Sequence, residues 1–125
     1  MAWNLDLSSP IYLQLVDRIK QLIISGTIQM GEKLSSVRDL AQQAGVNPNT
    51  MQRALAELER EGLLYSVRTS GRYVTDNKEM IDKMRKDIAN QKIIDLFDAL
   101  NKLGYSSEEI SQLIKERIDQ LGEEK

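Results

Sequence analysis

Apolar residues along the first half of the chain switch between helical and extended periods, and each switch is marked by a cap, a proline or a glycine. Ile11, Leu15, Ile19, Leu22 and Ile23 fall on one stripe of an amphipathic helix. Ser9 stands where an N-cap belongs and Pro10 at the first helical position, where its missing N–H costs nothing. Gly26 closes this segment, and a short extended stretch around Lys33-Leu34 follows the Gly31 turn. A second helix is predicted from Ser36, with Asp39 in the capping-box position and Val37, Leu40 and Ala41 facing inward. Gly45 ends it in the left-handed conformation that glycine tolerates. The third helix restarts at once, with Asn47 as N-cap, Pro48 as its first residue and Val46 placed to staple onto Met51. Beyond Gly62, Leu64-Tyr65-Ser66-Val67 and Arg72-Tyr73-Val74-Thr75 read as strands joined by a turn at Arg68-Thr69-Ser70-Gly71.

Two short helices around a tight glycine turn form a helix-turn-helix, here at about residues 36–55, and the hairpin at about 64–75 is a wing. The expected fold is therefore mainly α with a small β-wing: a winged helix-turn-helix domain at 9–76, followed by a short helical region at 77–125. The join lies near Thr75-Asp76-Asn77-Lys78. A helix is expected from about 78 to 102, with Asn90 a candidate break and Gly104 its end. Another starts after Ser106, boxed with Glu109, and runs to Leu121-Gly122. Met80, Ile81, Met84, Ile88, Ile93, Leu96, Phe97, Leu100 and Leu103 face Ile110, Leu113, Ile114, Ile118 and Leu121. Two helices cannot enclose so much apolar surface, and a second copy of the chain would bury the excess most economically. Ile88, Ile93, Leu96, Phe97, Leu100, Ile110, Leu113 and Ile114 are the candidate dimer contacts.

With about 100° of rotation per residue, Met51, Leu55, Leu58 and marginally Ala54 gather on the inner face of the third helix. Asn49, Arg53, Ala56 and Arg60 lie opposite, Gln52 sits near the edge, and Glu57 and Glu59 fall on the flanks. These outward residue types suit a major groove: Asn49 and Gln52 can pair with adenine, and Arg53 can read guanine or clamp phosphate. Ala56 permits close approach, and the helix N-terminus offers N–H groups to a phosphate. Arg38 is placed to hold the backbone, while Arg68, Ser70 and Arg72 surround Gly71 at the wing tip, whose bare backbone can enter a minor groove. Each feature alone describes an ordinary solvated face or turn. Their order along one chain is what points to nucleic acid.

Composition narrows the alternatives. The chain has 125 residues, with 41% hydrophobic and 29% charged, as expected of a folded domain. It contains no cysteine and no histidine, which removes thiol nucleophiles, His-based triads and the usual zinc sites. No nucleophile–base constellation or phosphate-cradling loop is present, so an enzyme is not expected. Met51, Met80 and Met84 are read as core filler, and Trp3 as cover for a core edge. With no signal-like start and no membrane-spanning apolar run, the expected location is the cytoplasm. The net charge of −2 cuts the other way, because DNA binders draw much of their affinity from basic excess. The positive charges must therefore be gathered on one face.

The motifs Pro10-Ile11-Tyr12, Gly31-Glu32-Lys33-Leu34, Ser36-Val37-Arg38-Asp39-Leu40-Ala41, Gly45-Val46, Asn49-Thr50, Arg53-Ala54-Leu55, Leu58-Glu59, Glu61-Gly62-Leu63 and Gly71 together resemble the GntR family of winged-helix repressors. The short tail, with Leu103-Gly104-Tyr105-Ser106 before its last helix, is similar to the small YtrA subfamily. The resemblance implies dimerisation through the tail, DNA contact by Arg38, by Asn49, Thr50 and Arg53 at the recognition helix, and by Gly71 at the wing. The chain departs from the family pattern at three places. Ser35 replaces the proline expected before Ser36, Asn47-Pro48 stands where many relatives carry Ser-Arg, and Arg72 replaces the usual wing threonine.

The expected function is a dimeric repressor that binds a pseudo-palindromic operator through Ser36, Arg38, Asn47, Asn49, Thr50, Gln52, Arg53, Arg68, Ser70, Gly71 and Arg72. The competing reading is a winged-helix module that docks another protein and dimerises through its tail. No cofactor or metal is expected. An unidentified small-molecule effector would have room only between the winged domain and the tail, or at the dimer interface.

Overall fold

A computed structural model of the chain describes residues 3–6 and 8–123. The elements run α1 (Ile11–Ile24), α2 (Val37–Ala44), α3 (Pro48–Arg60), β1 (Leu64–Val67), β2 (Gly71–Val74), α4 (Lys78–Lys102) and α5 (Ser107–Glu123). The chain divides into two compact units at Arg85/Lys86, inside α4 rather than at the 76/77 join that the sequence suggested. The reason lies in the first turns of α4. Ile81 is buried in the core of the first unit, Met80 and Met84 pack against that core, and the Arg85 guanidinium donates to the Ile24 carbonyl at 3.1 and 3.3 Å. The Ile24 carbonyl stands at the end of α1, beyond the reach of the helix's own N–H groups, and a cation there also suits the helix dipole.

At the centre of the first unit lies α3, which packs against α1, α2 and β1. Met51, Ala54, Leu55 and Leu58 are buried together with Leu15, Ile19 and Ile23 of α1, Leu40, Ala41 and Ala44 of α2, and Leu63, Leu64 and Val74 around the wing. Trp3 covers part of this cluster, as expected, and its N–H donates to the Ala44 carbonyl at 3.3 Å. The α2–α3 turn follows its sequence signals. Ser36 Oγ accepts from the Asp39 N–H at 3.1 Å, and Gly45 turns left-handed at φ 74°. Asn47 Oδ1 then accepts from the Asn49 N–H at 2.7 Å, with Pro48 as first helical residue. At α1 the caps differ from expectation: Pro10 itself is the N-cap, extended at ψ 135°, and no side chain caps the helix. The Pro10 carbonyl accepts from Leu13 and Gln14 N–H groups, while the Gln14 amide binds back to the Asp6 and Ser9 carbonyls.

Strands β1 and β2 pair antiparallel, with Tyr65 opposite Tyr73 and Val67 opposite Gly71. The Lys33-Leu34 stretch joins them as a third edge: Lys33 bridges Tyr73, and the Leu34 N–H donates to the Arg72 carbonyl at 2.9 Å. In the second unit, α4 runs unbroken through Asn90, and the Ser106–Glu109 capping box forms in both directions at 2.9 and 3.2 Å.

Because Leu58 is fully buried while Leu13 is 42% exposed, their truncations should separate cleanly. Leu58→Ala is expected to cost roughly 2–5 kcal/mol, and Leu13→Ala about 0.5 kcal/mol or less, measured by urea unfolding monitored by circular dichroism.

Candidate nucleic-acid interface

The buried stripe of α3 fixes which side chains it presents outward. Asn49, Gln52, Arg53, Ala56 and Arg60 are exposed, Thr50 is half-buried, and Glu57 and Glu59 occupy the flanks. The face predicted from sequence is therefore the face presented. What rotation alone does not give is the state of each charged group on it.

The three carboxylates at the C-terminal end of α3 are each paired. Glu57 binds Arg60 within the helix, Glu59 accepts from Arg72 Nε of the wing at 3.1 Å, and Glu61 binds Lys20 of α1 at 2.7 Å. The Arg60 hydrogen bond pulls the Glu57 carboxyl below its ordinary range. Hydrogen bonds from Ser66 and then Arg72 do the same for Glu59. By contrast, Arg38 and Arg68 are exposed, with no hydrogen-bond or ion-pair partner among the described residues. The net charge of −2 thus conceals a division: Glu57, Glu59 and Glu61 are answered within the fold, while Arg38 of α2 and Arg68 of the wing stay available to an outside anion.

Arg53 lies over the ring of Tyr12, with its guanidinium carbon 3.6 Å from the ring centroid. Stacking on an aromatic face holds the guanidinium plane while leaving its edge N–H donors free. Tyr12 was legible as part of a motif on α1, but its role was not, because no local pattern reports which residue of another helix it meets.

The caps have a second capacity. Ser36 Oγ and Asn47 Oδ1 act as acceptors at the starts of α2 and α3. The Ser36 hydroxyl proton and the Asn47 amide N–H groups therefore remain able to donate outward.

The wing differs from expectation in two respects. Its apex is Arg68-Thr69-Ser70, with Thr69 in the left-handed region at φ 67°, whereas Gly71 begins β2 opposite Val67. A β-branched residue at positive φ is strained, and such strain concentrates at functional loops. Gly71 sits at φ 134°, where a side chain is disfavoured, and an added Cβ would come 3.2 Å from Lys33 Cε. Arg72 does not splay from the tip with Arg68. Its side chain, only 18% exposed, folds back onto α3, with Nε on Glu59 and Nη1 on Gln52 Oε1 at 3.3 Å. Ser70 Oγ is likewise engaged, by the Tyr73 hydroxyl.

In the second unit, Ile88, Ile93, Leu96 and Leu113 are exposed, and Phe97, Leu100 and Ile114 half-buried. Ile110 is fully buried and has no surface to offer a second copy. Ile81 is likewise absent from the open apolar surface, being buried in the first unit's core, and Met80 and Met84 are half-buried against that core. No described helix is long and apolar enough to cross a membrane.

A tight helix-turn-helix whose second helix shows an amide- and arginine-bearing face beside a two-stranded wing defines a winged-helix DNA-binding domain. Residues 11–74 match the model of the gntR family of bacterial regulatory proteins, and the chain belongs to that family. It is 34% identical over 110 residues to the HTH-type transcriptional repressor YtrA of Bacillus subtilis, covering 87% of this chain and 85% of that protein. A GntR family transcriptional regulator from Listeria monocytogenes superposes with a TM-score of 0.83 at 43% identity, over 90% of this chain and 98% of that one. The DNA-binding domain of AraR, in complex with operator ORX1, superposes with a TM-score of 0.52 at 33% identity, over 60% of this chain and 92% of that one. The chain is thus a DNA-binding transcriptional regulator and not an enzyme.

Glu59 ties wing to helix, and its depressed carboxyl sets a sign for pH. A carboxylate with a lowered folded-state pKa adds stability above its unfolded value, and that stability fades as pH falls through the folded value. Glu59→Gln should lower the urea midpoint at neutral pH, and the gap to wild type should close in acid, below about pH 4. A gap that stayed constant to acid pH would mean that the charge of Glu59 contributes nothing.

Proposed function

We propose that the protein is a repressor that binds a pseudo-palindromic operator in the cytoplasm as a homodimer joined through its helical tail. The observation that carries this reading is the outward face of α3, where Asn49, Gln52 and Arg53 stand exposed while Glu57, Glu59 and Glu61 are each paired with a cation. On this reading α3 enters the major groove, where Arg53 and Gln52 meet base edges and Asn49 and Thr50 lie at the entry. Arg38 and the outward donors of Ser36 and Asn47 hold phosphates, which fix register. Arg68, Ser70 and Gly71 follow the adjoining minor groove. The similarity to the AraR DNA-binding domain in complex with operator ORX1, and to the transcriptional repressor YtrA, supports the same assignment.

Dimerisation is supported by the apolar surface of the tail. Ile93 is 52% exposed, Ile94 51%, Leu96 44% and Leu103 73%, and large apolar side chains left open along one short tail are what a second copy would cover. A two-fold pair would set two α3 helices about one turn of DNA apart, hence the inverted repeat.

Duplexes selected from a random pool should contain an inverted repeat, and affinity for them should fall steeply with salt. Selection of no repeat, or binding indifferent to salt, would sink the proposal. Arg53→Ala should weaken operator binding by roughly 1–3 kcal/mol, read by fluorescence anisotropy. The wild type should sediment at twice its 14.3 kDa chain mass. A variant carrying Ile93→Glu and Leu96→Glu should sediment as a monomer, keep its helical circular dichroism and lose most operator affinity.

A further inference from the structure

The wing arginine and the recognition-helix glutamine meet in a way that bears on which base is read. Gln52 is exposed on α3, and its side-chain oxygen accepts from Arg72 Nη1 at 3.3 Å. An arginine can only donate, so chemistry fixes the orientation of this amide: the carbonyl faces Arg72 and the NH2 group faces away. Arg72 is itself held, its Nε on Glu59, which also accepts from Ser66 Oγ at 2.8 Å. The chain Ser66–Glu59–Arg72–Gln52 therefore ties the wing to the reading side chain.

A free glutamine is a donor–acceptor fork suited to adenine, whose major-groove edge offers the N7 acceptor and the N6 amino donor. With its carbonyl against a guanidinium, Gln52 keeps its donors, but the approach of adenine's amino group to that oxygen is opposed by the positive charge beside it. An edge of two acceptors meets no such opposition, and guanine N7 and O6 form one. We propose that Arg72 is a specificity-determining positioning residue that converts Gln52 from an adenine reader into a donor-only reader of guanine. This rests on the operator-binding reading above.

The test uses full-length protein and an operator selected by the wild type. The base pair read by Gln52 is the one at which Gln52→Ala loses discrimination. There the wild type should prefer guanine over adenine, and 7-deazaguanine, which lacks the N7 acceptor, should weaken wild-type binding several-fold while leaving Gln52→Ala unaffected. Arg72→Met removes the guanidinium but keeps an apolar stem. It should shift preference at that pair toward adenine by about tenfold, with preferences elsewhere unchanged. A uniform loss across all positions, or an unaltered guanine preference in Arg72→Met, would overturn the proposal and leave Arg72 as a wing strut or phosphate clamp. Should Arg72→Met fail to fold, the wild type still decides: adenine preferred at that pair, or indifference to 7-deazaguanine, overturns it. Absence of any selective, salt-dependent binding by the wild type would instead remove the operator reading itself.

Discussion

The molecule depends on the seating of one helix. The buried stripe of α3, Met51, Ala54, Leu55 and Leu58, meets α1, α2 and β1 within a single apolar cluster. A close-packed interior permits few rotations of a helix within it, so burial of that stripe also dictates what the opposite side shows. Core and outward face are two sides of one cylinder. A change that loosens Leu55 or Leu58 would therefore alter the aim of Gln52 and Arg53 as well as stability.

Around that helix the protein separates its charges, although the total is slightly acidic. Intramolecular pairs occupy Glu57, Glu59 and Glu61, whereas Arg38 and Arg68 stay exposed. Such surface pairs add little to stability on average. On the operator-binding reading, their larger effect is on the field that approaching phosphates meet, since an unanswered carboxylate beside the outward face of α3 would repel them.

Much of the fold was legible because its signals are local. Caps at Ser36 and Asn47, Pro48 as first residue of α3, and left-handed Gly45 each act within one turn, and each falls where the sequence places it. The face of α3 was legible for the same reason, since periodicity is a property of one helix. The misreadings have another origin. Pro10 rather than Ser9 caps α1, its carbonyl accepting the N–H groups of Leu13 and Gln14, while the Gln14 amide ties down the preceding carbonyls. The first turns of α4 belong with the winged unit because Ile81 and Arg85 find partners there, far away in sequence. Tyr12 beneath Arg53 and Arg72 against Gln52 are contacts between elements, which no spacing rule encodes. The wing tip was misjudged because glycine was taken as the apex, while the structure places Thr69 in the left-handed region.

The tie between residues 52, 59 and 72 also bears on how this protein can change over generations. A contact that spans wing and helix makes the effects of substitutions non-additive. A replacement of Gln52 alone leaves Arg72 aimed at an absent carbonyl, and a replacement of Arg72 alone releases both Gln52 and Glu59. Drift toward a new operator is then a coordinated exchange across two elements far apart in sequence, and lineages are expected to swap these three residues as a set. On the proposed reading, base preference would change by exchange of this set rather than by single steps.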